Sequence, residues 1–174
     1  MFKELTYLNP FFESPSKELG VREFARLAKM NPATASKILK NFAKKGILKE
    51  KKERIYILYK ANLESSLYKD LKVFYNKRKI IDSNLLDELN KFYLKPTILF
   101  FGSGAKGLDD ENSDFDLLII SEKTAEFPNI KNFEKKLNRK LQFFAVKDIK
   151  NIKNKNLLNN MVNGIILQGD IKWI

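Results

Sequence analysis

A chain of 174 residues, 44% hydrophobic and 31% charged, has the composition of a globular protein with room for two compact units. It contains no cysteine and no histidine, which excludes disulfides, the usual zinc sites and the Ser-His-Asp and Cys-His catalytic arrangements; any catalysis rests on carboxylates, lysines, hydroxyls and a hard metal ion. The net charge of +12 is uneven, since residues 1–97 hold 21 Lys+Arg against 11 Asp+Glu and residues 98–174 hold 12 against 10, so the first half has the electrostatic footprint of a polyanion binder.

The opening Met1-Phe2-Lys3-Glu4-Leu5 shows no basic segment leading into a long apolar stretch, and no later run reaches membrane-spanning length; a cytoplasmic protein is expected. Val21, Phe24, Ala25 and Ala28 recur at helical spacing, with Leu27 widening the stripe, and predict a helix over 21–29. A second helix follows, with Asn31 as N-cap, Pro32 in the first turn, Ala35, Ile38, Leu39 and Phe42 on its buried face and Gly46 at its end. Its outer face presents Thr34, Lys37, Lys40, Asn41 and Lys44. After Gly46 the period changes. Ile47-Leu48 and the stretch Ile55 to Tyr59 predict a hairpin whose turn is the charged segment Lys49 to Arg54.

Two short helices joined by a brief turn and followed by a hairpin resemble the winged helix-turn-helix of bacterial and archaeal regulators, of the ArsR-like kind. The resemblance spans Val21 to Asn62 and rests on pattern rather than on a sharp motif. It implies binding to double-stranded DNA, with base contacts from Thr34, Ser36, Lys37 and Asn41 and phosphate contacts from the wing residues Lys51, Lys52 and Arg54. The alternative is a protein-binding module of the same shape.

Residues 63–93 predict two further helices, one with the stripe Leu67, Tyr68, Leu71, Phe74 and Tyr75, the other with Leu85, Leu86, Leu89 and Phe92. These stripes either pack on the winged helix or form a homodimer. Pro96 ends the second helix, and Thr97 to Phe101 is a short apolar strand leading into Gly102-Ser103-Gly104-Ala105-Lys106-Gly107. Three glycines in six residues allow a tight turn with exposed amides, to which Ser103 and Lys106 add a hydroxyl donor and a charge suited to phosphate. An acidic strand follows, Ser113 to Ile120, in which Asp114 and Asp116 share one face and Phe115 turns to the core. Paired carboxylates repel each other unless a cation lies between them, and a hard divalent ion such as magnesium suits them. Asp109-Asp110-Glu111 reads as a solvated acidic turn, and Trp173 and the lysines between 131 and 155 as packing and solvated helix faces.

Gly-Ser, ten residues, then Asp-x-Asp entering an apolar strand resembles the signature of the DNA polymerase beta nucleotidyltransferase superfamily, particularly its minimal members. The resemblance covers residues 97 to about 169, including the segment Asn163 to Gly169. It implies that Gly102, Ser103 and Lys106 contact a nucleoside triphosphate, that Asp114 and Asp116 bind magnesium and carry catalysis, and that a nucleotide is moved to an acceptor hydroxyl, as in toxin-antitoxin pairs where the acceptor is a partner protein. Such relatives supply a third carboxylate from a later strand, where Gln142 stands here; Asp148 and Glu134 are the acidic side chains nearest in sequence. The expected architecture is therefore α+β: a winged helix over 1–62, a helical linker over 63–94 and a small mixed-sheet nucleotidyltransferase fold over 95–174. Two functions remain open, a nucleotidyltransferase and a non-catalytic regulator that senses nucleotide or dimerises.

Overall fold

The computed structural model describes residues 3–171, so Trp173 lies outside the described residues. The chain divides into two compact units, 1–72 and 73–174. Among the described residues no helix is long and apolar enough to cross a membrane.

The first unit runs α1 (Lys3–Thr6), α2 (Asn9–Glu13), β1 (Leu19–Gly20), α3 (Val21–Leu27), α4 (Pro32–Lys44), β2 (Leu48–Glu53), β3 (Tyr56–Ala61) and the start of α5 (Ser66–Asp82). Its three strands lie in the order β1-β3-β2, all antiparallel. Helix α4 starts where the side chain of Asn31 accepts the amide of Thr34 at 2.8 Å, with Pro32 in the first turn. It stops where Gly46 takes φ +71° and the amide of Ile47 reaches back to the carbonyl of Phe42 at 2.9 Å. Phe24, Ala25, Ala35, Leu39 and Phe42 are buried together with Phe11 and Phe12 of α2. The rings of Phe11 and Phe24 lie 5.9 Å apart, and the hydroxyl of Tyr68 donates to the carbonyl of Phe11 at 2.8 Å.

Three features of this unit depart from the expectation. The charged segment is not the hairpin turn. Lys49 to Glu53 are strand residues paired with Tyr56 to Lys60, and the turn is the two residues Arg54 and Ile55, Arg54 at φ +54°. Both faces of β2 beyond Leu48 are exposed, so its lysines and glutamates carry little desolvation cost, and antiparallel pairing with β3 holds this charged stretch as strand. The second departure is the N-terminal pair α1 and α2 and the short β1, for which no element was expected; Asn9-Pro10 opening α2 is the local signal that was there to be read. The third is the face of α5. Leu67 and Phe74 of the expected stripe are exposed, while Tyr68, Lys72, Asn76 and Ile80, each four apart, are buried.

The second unit contains the rest of α5, α6 (Leu85–Tyr93), β4 (Thr97–Phe101), α7 (Gly102–Ala105), β5 (Phe115–Ile120), α8 (Ile130–Leu137), β6 (Leu141–Val146), a 3-10 turn (Ile149–Asn151), α9 (Lys155–Val162) and β7 (Ile165–Gln168). The sheet order is β6-β5-β4-β7, with β5 and β6 parallel and the other pairs antiparallel. This gives the mixed α+β architecture expected of the C-terminal half. Alternation along the strands builds a core on each side. Ile98, Phe100, Phe115, Leu117 and Ile119 face Leu85 and Leu89 of α6 and Phe133 and Leu137 of α8. Leu99, Phe101 and Leu118 face Met161 of α9 and Ile149. The apolar stripe of α6 is thus covered by the sheet of its own unit, which accounts for it without either the first unit or a second copy.

Candidate active site

Strand β4 ends at Phe101 in extended conformation and the chain turns at once into α7 through Gly102, at φ +76°. A Cβ at Gly102 would overlap Oδ2 of Asp116 and stand 3.1 Å from its Cγ, so the backbone conformation and the neighbouring carboxylate both demand glycine here. Gly104 is buried, and a Cβ there would strike the ring of Phe100 at 2.6 Å. The turn is held from α5: Nδ2 of the buried Asn76 donates to the carbonyl of Gly104 at 3.0 Å and to Oδ1 of Asp109 at 2.8 Å. The amide of Leu108 closes the loop onto the carbonyl of Ser103 at 3.0 Å.

Asp109 is therefore not part of a solvated turn. It is 1% exposed, and its carboxylate is used inside the protein. Asp110 and Glu111 are exposed as expected, and Asp110 accepts the amide of Asn112 at 2.9 Å and the hydroxyl of Ser113 at 2.9 Å, shaping the approach to β5.

Asp114 immediately precedes β5 and Asp116 is its second residue, while Phe115 between them is fully buried with its ring edge-on to Phe100 at 5.3 Å. The strand period brings both carboxylates to the α9 side of the sheet, beside the glycine turn. Burial, then the negative charge of Asp114, holds the carboxyl of Asp116 above its ordinary range. Two oxygen donors whose mutual repulsion a cation would relieve fit a hard divalent metal such as magnesium. Among the described residues no group of three or more acidic side chains gathers to hold a metal.

Asp116 pairs with Phe101 on β4 and with Gln142 on β6. Parallel register puts Gln142 beside Asp116 on the same face, at the position where a third carboxylate was sought, and the residue there is an exposed amide. Asp148 lies past the far end of β6, six residues on, about 20 Å along a strand, and caps the 3-10 turn by accepting the amide of Lys150 at 2.8 Å. Glu134 accepts the amide of Leu141 at 3.0 Å, which commits one of its oxygens to the start of β6. Neither stands in for Gln142.

Ser103 is half-buried in the turn, and Lys106 is exposed just after it, its Nζ 3.4 Å from Oδ1 of Asn160 on α9. Sequence reasoning missed Asn76, which lay within an amphipathic pattern, and a cleft of about 610 Å³ bordered by Asp114, Lys131, Glu134, Lys135, Arg139 and Lys140. The lysines in this group were read as solvated helix faces. The alternation of basic residues on α8 with the Arg139-Lys140 pair that opens β6 was the available signal.

In the first unit, Thr34, Lys37 and Asn41 are exposed on one face of α4, and Ser36 is half-buried off that face. Lys51 and Lys52 are adjacent strand residues and so point to opposite sides of the hairpin. Lys51 is 3.4 Å from Glu18 and Arg54 stands exposed in the turn.

No curated protein matches the chain. Residues 82–163, which include β4, the glycine turn, both aspartates and Gln142, match the family model described as a nucleotidyltransferase domain, and this part of the chain is similar to proteins that transfer nucleotides.

Proposed function

We propose that the second unit transfers a nucleoside monophosphate from a nucleoside triphosphate to a hydroxyl of a protein or small molecule, with magnesium, and that the first unit is a winged helix that binds double-stranded DNA. The observation that carries the enzymatic reading is the placement of two carboxylates against a glycine turn that has no room for a side chain. The backbone amides of Gly102 and Ser103 at the start of α7 and the charge of Lys106 would hold the triphosphate. Asp114 and Asp116 would hold the cation, which when bound neutralises charge on the phosphates and makes the acceptor hydroxyl more acidic. The acceptor oxygen forms a bond to the α-phosphorus, the bond from that phosphorus to the α,β-bridging oxygen breaks, and pyrophosphate leaves with the electron pair. The hydroxyl proton passes to Asp114, which borders open solvent, and from there to water.

The DNA-binding reading rests on the element order helix, strand, helix, helix, hairpin in the first unit and on the exposed row Thr34, Lys37, Asn41 and Lys44 along α4. The wing would add Arg54 and Lys52 to phosphates.

A specific observation favours a second reading. Gln142 beside Asp116 can hydrogen-bond but cannot accept a proton or balance metal charge as a carboxylate does, so the unit would bind nucleotide without turnover and the chain would act as a regulator. Calorimetric titration of ATP, GTP, CTP and UTP with magnesium, followed by a pyrophosphate-release assay, separates the two. Binding with release, both lost in Asp114→Ala/Asp116→Ala, supports the enzyme. Binding without release when hydroxyl acceptors are supplied supports a nucleotide-sensing regulator, and binding of no nucleotide overturns the enzyme and leaves a regulator whose second unit only dimerises.

A further inference from the structure

Strand β6 is an edge of its sheet, paired with β5 on one side and open on the other. The carbonyls of Lys140 and Val146 accept the amides of Phe115 and Ser121, each at 2.9 Å. Backbone groups alternate along a strand, so those of Gln142 and Phe144 also turn to β5, and those of Leu141, Phe143 and Ala145 turn to the open side. Glu134 takes the amide of Leu141 at 3.0 Å. Among the described residues, the N–H and C=O groups of Phe143 and Ala145 meet no partner. An open edge is a template for another strand, and proteins that keep strands apart blunt it with charge, proline or a bulge. The β2 edge of the first unit is blunted by its lysines and glutamates. Strand β6, Leu141–Val146, has no charge, no proline and no shift of register. Its side chains are half-buried on both faces of the sheet, Phe143 and Ala145 on the α8 side, Phe144 and Val146 on the α9 side. Beside the first pair lies a cavity of about 280 Å³, lined by Phe143 and Ala145 with Tyr93, Phe127, Ile130 and the loop 124–126.

We propose that β6 pairs antiparallel with β6 of a second copy, about a twofold axis through Phe144, joining the two sheets into one continuous sheet. The inference is independent of the nucleotidyltransfer and DNA-binding readings. The strand's own pattern favours a second copy over a different partner. In this register Phe143 of each copy lies opposite Ala145 of the other, and every open backbone group of these two residues finds a partner. A bulky ring then meets a small residue twice by symmetry. The partner's Phe143 lies against Ala145, where the cavity has room for its ring, and Phe143 does the same in the partner. On the other face the two Phe144 rings meet at the axis, and the partner's Val146 lies beside Gln142. A second copy thus covers apolar side chains that a single chain leaves partly open on both faces. Gln142 shares its face with Asp116, so the partner also borders the carboxylate site.

The test is the mass of the full chain in solution, measured by sedimentation equilibrium at micromolar concentration. The expected mass is twice the 20.3 kDa of one chain. Ala145→Pro removes an amide that points away from β5, so the ladder to β5 and the far-UV circular dichroism are kept while the mass falls to that of one chain. Ala145→Lys sets a charge where the partner's Phe143 would lie and should have the same effect. A third variant reads the register. The chain has no cysteine, and the two Cα atoms of residue 144 would stand about 4.5 Å apart, within reach of a disulfide. Phe144→Cys should therefore link two chains on mild oxidation, and Leu67→Cys, exposed on α5, should not. A wild-type chain that sediments at 20.3 kDa overturns the proposal, as does a dimer that both Ala145 variants leave intact, because its interface then lies elsewhere. A monomer whose Phe143 and Ala145 amide resonances shift on titration with a short peptide of alternating valine and glutamate also overturns it, and assigns the edge to a different chain.

Discussion

A methyl group at position 102 would have to share space with a carboxylate oxygen of Asp116 while the backbone holds φ +76°. Gly102→Ala therefore displaces Asp116 or straightens the turn, and either change breaks the arrangement to which we assign nucleotide binding. The strain amounts to about 1–3 kcal/mol of stability, with magnesium-dependent nucleotide binding lost in calorimetry; an alanine variant that binds as wild type would show that the turn and the carboxylate are not coupled. Asp116 itself is held in an unfavourable place. Its carboxyl is shifted upward, first by burial and then by Asp114, so the native state keeps that proton more tightly than the unfolded chain does. Stability from this group is complete below its unfolded pKa and is lost as pH rises through the folded value. In metal-free buffer, Asp116→Asn should flatten that decline and raise the urea midpoint at neutral pH, while abolishing transfer. Added magnesium should raise the midpoint of wild type only. An asparagine variant no more stable than wild type in chelator would mean that the site is not electrostatically strained.

Among the elements, the ones legible from sequence were those whose local signals agree. Helix α4 has an Asn cap, a Pro in its first turn and a Gly stop, and β4, the glycine turn and β5 follow from apolar runs broken by three glycines and an Asp-x-Asp. The hairpin and α5 were misread for physical reasons. Strand β2 is so polar that only its pairing partner reveals it, and α5 buries Lys72 and Asn76 where a hydrophobic count would have chosen Leu67 and Phe74. The buried Asn76 is the more consequential miss, because one amide nitrogen serves both ends of the loop that carries Gly102 to Asp109. Asn76→Leu fills the space yet leaves the Gly104 carbonyl and Oδ1 of Asp109 without this donor inside the protein. The expected loss is about 2–4 kcal/mol in urea unfolding, with hydrogen exchange accelerated most at residues 102–109. Uniform acceleration across the second unit would assign Asn76 to general packing instead of to the loop.

At the scale of the whole molecule, charge and chemistry are segregated along the chain. The excess over residues 1–97 is +10 and over residues 98–174 only +2, whereas the paired aspartates and the glycine turn all lie in the second stretch. If the basic surface serves DNA and the aspartates serve nucleotide transfer, changes at one should spare the other. Lys37→Glu/Lys44→Glu replaces two exposed cations on one face of α4, about two turns apart. Duplex DNA binding by this variant should fall about tenfold or more, and the dependence of log K on log salt should become shallower, because two fewer phosphates are neutralised and fewer counterions released. Magnesium–nucleotide binding should be unchanged. Asp114→Ala/Asp116→Ala should give the reverse pattern, with DNA affinity retained and nucleotide binding lost. DNA affinity that is equal in wild type and in the lysine variant would remove α4 as the contact helix and turn attention to the β2–β3 hairpin, where Arg54 and Lys52 stand exposed. A basic half that binds no DNA at all would instead favour a protein partner for that unit, since its exposed charge would then have no polyanion to answer it.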